Sequence, residues 1–166
     1  WRPALEVYRE IMREQYGVAI DRDNFYTHAV HFPFGILRAD GEVLVRIPVA
    51  LGDHGEIVCV GEIQPNSLLT LLDARAGSGR AAPALAQDLA RIGAPVADGD
   101  LLLFYCAGRR LHIGTGLGDE LSAVGSETGA AQVAGALSLG EIGSARSDGY
   151  PLFHNATLVG VPWLRR

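Results

Sequence analysis

The residue types best suited to hold a small molecule follow one apolar run, residues 101–106. This uninterrupted run predicts a central strand covered on both faces. Arg109 and Arg110 come just after it, beyond the turn-forming pair Ala107-Gly108. An arginine at the end of such a strand can hold a ligand carboxylate through two charge-assisted hydrogen bonds. The alternative is that both arginines lie on the surface and pair with nearby Asp or Glu.

A carboxylate between glycines is the second candidate. Glu141 lies in the segment 140–143, Gly-Glu-Ile-Gly, within an apolar, strand-like stretch. Glycine in a strand often marks a bulge or the close approach of another group. The carboxylate can receive the ammonium of an amino-acid-like ligand. It can also pair with Arg109, Arg110 or Arg146, because a buried charge has to be compensated.

The third candidate is the polar run His154-Asn155-Ala156-Thr157, which we interpret as part of a strand. Alternation in a strand would put His154 and Ala156 on one face and Asn155 and Thr157 on the other. One of these pairs has to face inward. It then either lines a pocket or is satisfied by neighbouring backbone groups.

Enzymatic interpretations have weaker support. Cys106 and His154 could form a nucleophile and its base, but no third residue is placed to orient them. The five histidines and two cysteines are scattered without zinc-ligand spacing. The segment 114–118 imitates a dinucleotide loop, but its third glycine comes too early and its flanking strands are expected to be antiparallel. We therefore predict no enzymatic activity, no cofactor and no metal.

Composition excludes several classes of partner. The net charge of −5 is unsuited to nucleic acid, and no apolar run reaches the ~18 residues that span a bilayer. Cys59 and Cys106 each lie in an apolar run, which is typical of buried free thiols in a reducing compartment, so a cytoplasmic location is expected. The length of 166 residues suits one domain, 1–166. The absence of an initiator Met led us to expect a fragment of a longer protein.

The order of elements predicts an α+β fold, with a mainly antiparallel sheet of short strands and two or three helices packed on it. An Asp40-Gly41 turn predicts a hairpin, and residues 21–33 have no period and are expected to be a loop. Helices are predicted over residues 4–16, from Pro83 to about 92, and from about 119 to 128. Strands are predicted over residues 34–38, 42–47, 56–60, 67–72, 101–106, 136–142 and 153–163.

Taken in order, several of these segments resemble the C-terminal domain of the FIST family of sensory proteins. The matching segments are Phe32-Pro33-Phe34-Gly35-Ile36 with the strand ending at Arg46; residues 103–110 with Gly114 and the acidic pair Asp119-Glu120; residues 140–143; and residues 153–157. The resemblance implies a sensory module that binds small ligands, amino acids among them. It also implies an N-terminal FIST domain before this one and, in some relatives, attached signal-transduction modules.

The family pattern falls on nine positions of this chain: Arg46, Cys106, Arg109, Arg110, Glu120, Glu141, His154, Asn155 and Thr157. The chain departs from the pattern at Leu137 and Leu139, where relatives carry an aromatic residue, and at Ser144, where they tend to carry Pro. These departures leave open whether the ligand specificity is shared.

The leading hypothesis is a sensor domain for a small ligand, such as an amino acid or small carboxylate. Arg109 or Arg110 would hold a carboxylate, and Glu141 or Glu120 an ammonium. Asn155, Thr157 and His154 would supply orienting hydrogen bonds. The alternatives are a protein-recruiting scaffold without a ligand and a hydrolase or transferase that uses Cys106.

Overall fold

A computed structural model of the chain describes residues 2–39, 41–77, 79–144 and 146–163. The chain forms two compact units, residues Trp1–Asp73 and Ala74–Arg166. The assignment of 1–166 to a single domain stays a prediction. Helices and short strands alternate along the chain, which confirms the predicted α+β class. No helix of the described residues is both long and apolar enough to cross a membrane.

The first unit combines two helices with two small antiparallel sheets. Strands β2, β1 and β5 pair in that order, and β3 pairs with β4. The elements are α1 Ala4–Tyr16, α2 Phe25–Ala29, β1 Phe34–Leu37, β2 Val43–Arg46, β3 Pro48–Leu51, β4 Ile57–Cys59 and β5 Leu69–Leu71.

Helix α1 has the predicted bounds because both of its ends are encoded locally. Pro3 precedes its first turn, and Gly17 ends it in the left-handed conformation, with φ of 68°. The backbone N–H groups of Gly17 and Val18 donate to carbonyls of the last turn, as in a Schellman motif. The buried face of the helix packs into an aromatic core formed with Phe25, Phe32 and Phe34.

Two turns of the first unit test the sequence predictions. The predicted hairpin joins β1 to β2, and Gly41 adopts a φ of 83° there, while Asp40 lies outside the described residues. The prediction of a loop over 21–33 is wrong at Phe25–Ala29, which forms α2. This helix is too short to show a hydrophobic period, and it forms because Phe25 and Ala29 reach the core.

The second unit is built around a mixed sheet with the strand order β10, β6, β7, and a separate antiparallel pair, β8 and β9. A 3-10 turn, Ala74–Gly77, opens the unit, and a second one, Gly114–Gly116, joins α4 to α5. The other elements are α3 Ala81–Arg91, β6 Asp100–Cys106, α4 Ala107–Ile113, α5 Leu117–Thr128, β7 Gln132–Ser138, β8 Glu141–Gly143, β9 Leu152–His154 and β10 Leu158–Trp163.

The connection from β6 to β7 corrects one prediction. The strands are parallel, so the expected antiparallel arrangement around residues 114–118 is wrong. Parallel neighbours need a long crossover, and α4 and α5 provide it. The glycine-rich segment separates the two helices instead of following the strand directly. It therefore lacks the position of a dinucleotide-binding loop, which lies between a strand and the helix that follows it.

Strand β6 is covered by helices on one face. Leu101, Leu103 and Tyr105 point into a core that includes Leu89 of α3 and Val124 of α5. On the opposite face Phe104 is 38 % exposed. The expectation that both faces are covered is therefore wrong, because an unbroken apolar run does not reveal which alternate residues are covered.

The tight β6–β7 contact at Gly135 gives a testable consequence. A Cβ at Gly135 would collide with the backbone carbonyl of Leu103, so Gly135→Ala should destabilise the fold by about 2 kcal/mol. The control is Gly118→Ala in α5, where a Cβ meets nothing within 4 Å and a helical alanine should add about 0.5–1 kcal/mol. Urea unfolding measures both. Equal effects of the two substitutions would contradict the described pairing.

Candidate functional site

The candidate site lies at the carboxyl end of β6. Cys106, the last residue of β6, is in register with Ser138 at the end of β7. On the other side the N–H of Cys106 donates to the carbonyl of Thr157 at 3.2 Å. The N–H of Ala156 donates to Cys106 Sγ at 3.2 Å. The two neighbours of the central strand thus bring Ser138 and the loop before β10 to one place.

Glu141 is the buried acid of this site. It opens β8 and is only 2 % exposed. The Ser138 hydroxyl donates to Oε1 at 2.6 Å, whereas no donor among the described residues reaches Oε2 in hydrogen-bonding geometry. Burial raises the pKa of Glu141, and the nearby Ser138 hydroxyl, Cys106 thiol and Thr157 backbone oppose this only in part. The three arginines considered as partners do not pair with it in the described structure.

Asn155 is the second buried residue with side-chain polar atoms that have no hydrogen-bond partner among the described residues. It is 1 % exposed, and neither its Oδ1 nor its Nδ2 is hydrogen bonded within the described structure. The predicted strand alternation over 154–157 is wrong, because β9 ends at His154 and the chain bends at Asn155 and Ala156. Ala156 has a φ of 58°, a left-handed conformation that costs a non-glycine residue about 1 kcal/mol or more. Strain of this kind is often concentrated at functional sites.

Glycine in the Glu141 segment has the role expected from the sequence. A Cβ at Gly140 would collide with the ring of Phe153, so the close approach of β8 and β9 requires glycine there. This confirms that the glycine marks a close contact. The pairing of these strands sets Glu141 opposite His154, and His154 is half-buried.

Arg109 and Glu120 form a second buried cluster beside Tyr105. Arg109 Nε donates to Oε2 of Glu120 at 2.9 Å, and its Nη2 donates to Oε1. The Tyr105 hydroxyl also donates to Oε2. The Arg109 and Glu120 side chains are 13 % and 6 % exposed. Arg109 thus pairs with a nearby carboxylate, as in the alternative considered above, but in a buried setting.

The charge state of this cluster is fixed by its hydrogen bonds. Burial alone would raise the pKa of Glu120, but hydrogen bonds from Arg109 and Tyr105, together with the charge of Arg109, outweigh it and lower the pKa. Burial likewise opposes the charge of Arg109, and the pairing with Glu120 raises its pKa on balance. The cluster is therefore an ion pair at neutral pH, with a net charge of zero.

Arg110 and Arg46, two further predicted residues, donate to backbone carbonyl groups. Arg110 is half-buried in α4 and its Nη1 donates to the Gly114 carbonyl at 3.0 Å. Arg46 belongs to the first unit, where it is buried and donates to the carbonyl groups of Glu62 and Val45. The site at the end of β6 thus brings together Cys106, Glu141, Asn155 and Thr157.

Sequence reasoning missed Ser138 and Tyr105. Both lie in apolar runs that predict strands, and their hydroxyl groups donate to the two buried carboxylates. Residues 136–142 were predicted as one strand, which hid the turn at Leu139 and Gly140 that folds Ser138 back onto Glu141. A serine three residues before a glycine-flanked glutamate was the available signal.

Comparison with known proteins identifies a family. The model of the FIST C domain matches residues 4–144. No curated protein and no solved structure matches the chain. The described residues contain no group of three or more His, Cys, Asp or Glu side chains that could hold a metal ion.

The Arg109–Glu120 pair predicts a pH-dependent contribution to stability. Because the pKa of Glu120 is lowered on folding, the contribution is present above its unfolded pKa of about 4.3 and is lost as the pH falls through the folded pKa. Glu120→Gln leaves Arg109 without its counter-charge and should cost about 3 kcal/mol at pH 7. The loss in the free energy of unfolding caused by Glu120→Gln should become smaller toward pH 3. Urea unfolding measures it at each pH.

Glu127→Gln is the matched control, since Glu127 is an exposed acid on the same helix. We expect it to change the free energy of unfolding by less than about 0.5 kcal/mol at either pH. If Glu120→Gln were as mild as the control at pH 7, the buried ion pair would not contribute to stability as described.

Proposed function

Because the chain belongs to the FIST C domain family, we propose that it acts as the small-ligand-binding sensory domain of a signalling protein. The family is consistent with a sensory role. The proposed ligand site rests on three buried polar atoms that have no hydrogen-bond partner in the described part of the chain. They are Glu141 Oε2 and both side-chain polar atoms of Asn155.

The energetic argument starts from the cost of such atoms. An unsatisfied buried donor or acceptor costs about 1–3 kcal/mol, and most buried polar groups in native proteins are hydrogen bonded. The Cys106 thiol lies near the Glu141 carboxylate, and its Sγ accepts a hydrogen bond from the N–H of Ala156, the residue after Asn155. A polar ligand that reaches Glu141 and Asn155 would supply the hydrogen bonds that these side chains lack. Its binding would therefore offset the free-energy cost of burying them.

The chemistry of these atoms favours an amino acid or a related small molecule. Glu141 Oε2 and Asn155 Oδ1 are acceptors suited to an ammonium, while Asn155 Nδ2 is a donor suited to a carboxylate. We assign Thr157 and His154 to the wall of the site and Cys106 to its floor. Since Arg109 and Glu120 already compensate each other, Arg109 is not assigned to the ligand.

The proposed output is a shift in population and not a chemical reaction. A ligand that binds one conformation more tightly than another biases the equilibrium between them. An N-terminal FIST domain and downstream signalling modules are the proposed receivers, in the cytoplasm. We propose no catalytic role for the chain.

A protein-recruiting scaffold is the second candidate, and one observation favours it. Phe104, Val161 and Trp163 lie on the outer face of β6 and β10 and are 38 %, 41 % and 62 % exposed. An apolar sheet face of this kind is typical of surfaces that bind other proteins.

A thermal-shift screen tests the ligand proposal. The unsubstituted chain and the Glu141→Gln variant are each screened against the twenty amino acids and small carboxylates. A ligand at 100 times its Kd adds about 2.7 kcal/mol of stability, which gives a clear rise in Tm. We expect at least one compound to raise the Tm of the unsubstituted chain but not that of Glu141→Gln. The amide lacks the negative charge that holds the ammonium.

Glu127→Gln is again the control and should keep the hit. Glu141→Gln retains the shape of the side chain and an acceptor for Ser138, so it is expected to fold. Absence of any hit with the original chain, or a hit that survives in Glu141→Gln, would refute this site.

The proposal also predicts slow alkylation of both cysteines. Cys106 is buried at the end of β6, which limits its contact with the reagent. Burial raises the pKa of Cys59 to about 11, so little Cys59 thiolate is available at pH 7.5. Iodoacetamide labelling followed by mass spectrometry should show each thiol reacting more slowly than glutathione. Rapid, selective alkylation of Cys106 would instead favour the hydrolase or transferase alternative.

A further inference from the structure

A large apolar cavity lies within the first unit, residues 1–73. Its volume is about 770 Å³, inside the range of roughly 300–1,000 Å³ that holds small-molecule ligands. Helix α1 forms one wall, and strands β1, β4 and β5 form the others. The lining side chains are mostly apolar and include Val7, Ile11, Phe34, Ile57, Leu69 and Leu71.

Helix α1 has two apolar stripes, one that faces the core and one that lines the cavity. Leu5, Tyr8 and Met12 point into the core. Ala4, Val7 and Ile11 follow at helical spacing on a neighbouring face and line the cavity. Val7 is 36 % exposed, although the solvent-facing side of a helix is normally polar. A ligand in the cavity would cover this stripe.

The polar groups of the cavity restrict the charge of the ligand. The Tyr8 hydroxyl already donates to the Phe32 carbonyl at 3.4 Å. Glu56 is the acid in the lining, and its Oε2 accepts a hydrogen bond from the backbone N–H of His54 at 2.9 Å. The described lining residues include no arginine, and the sequence contains no lysine. An anionic ligand would therefore meet the like charge of Glu56, and His54 is the one basic side chain among the described lining residues.

We propose that the first unit binds a small, largely apolar molecule whose head group is neutral or an amine. The apolar body lies between α1 and β5, and the head group is directed toward Glu56. Ligand pockets commonly combine an apolar lining with a few polar groups that fix orientation. This site goes beyond the polar site at the end of β6, since no residue is shared between them.

Two fluorescent probes that differ in one charged group test the charge requirement. N-phenyl-1-naphthylamine is neutral, and 1-anilinonaphthalene-8-sulfonate has the same aromatic skeleton with an added sulfonate. In fluorescence titrations of the chain we expect saturable 1:1 binding of the neutral probe. The sulfonate should bind at least tenfold more weakly. No saturable binding of the neutral probe, or equal affinity for both probes, would overturn the proposal.

Substitutions on opposite walls test the location. Val7→Arg on α1 and Leu69→Arg on β5 place a long cation in the cavity from positions that are equally exposed, at 36 %. Each substitution should weaken binding of the neutral probe at least tenfold. Two variants are used so that a folding defect in one leaves the other informative, and circular dichroism verifies that each is folded.

Val58→Arg is the matched control. Val58 is exposed on β4 and does not line the cavity, whereas its neighbours Ile57 and Cys59 do. It should leave the affinity for the probe within twofold. If Val58→Arg weakened the probe as much as Val7→Arg and Leu69→Arg, the probe would bind elsewhere. Glu141→Gln should also leave the affinity for the probe unchanged, so failure at one site is distinguished from failure at the other.

Discussion

The two ladders of β6 determine where the polar groups of the second unit meet. Parallel pairing with β7 sets Ser138 beside Cys106, and antiparallel pairing with β10 brings Thr157 to its other side. A shift of either register by one residue would turn every side chain of that strand to the opposite face. A shift of β7 would turn Ser138 away from the Glu141 carboxylate, and a shift of β10 would displace Thr157 from its place beside Cys106.

Two buried glutamates show how environment decides the role of one residue type. Glu120 receives hydrogen bonds from Arg109 and Tyr105, and its pKa is lowered. Glu141 receives one from Ser138, and its pKa is raised by burial. The first acid is fully compensated within the protein, so it contributes to the fold. The second retains an oxygen that no described residue hydrogen bonds, which makes it suited to binding an external group.

Local signals predicted the parts of the fold that are encoded locally. Pro3 and Gly17 mark the ends of α1, and the apolar run 101–106 corresponds to β6. The direction of β7 was missed, because strand pairing depends on contacts distant in sequence. The pairing of Arg109 with Glu120 was also missed as a specific contact, since their separation of eleven residues spans two helices and matches no helical spacing. The order of the short motifs predicted the family because that order does not depend on the pairing of the strands or on individual side-chain contacts.

The central claim is that Glu141 Oε2 is satisfied by a ligand, and a high-resolution crystal structure of the chain soaked with amino acids tests it most directly. The account predicts a bound molecule with a donor about 2.7–3.2 Å from Glu141 Oε2, in contact with the Asn155 amide. The contradicting result is a structure at saturating amino acid in which Glu141 Oε2 bonds only to protein groups or water.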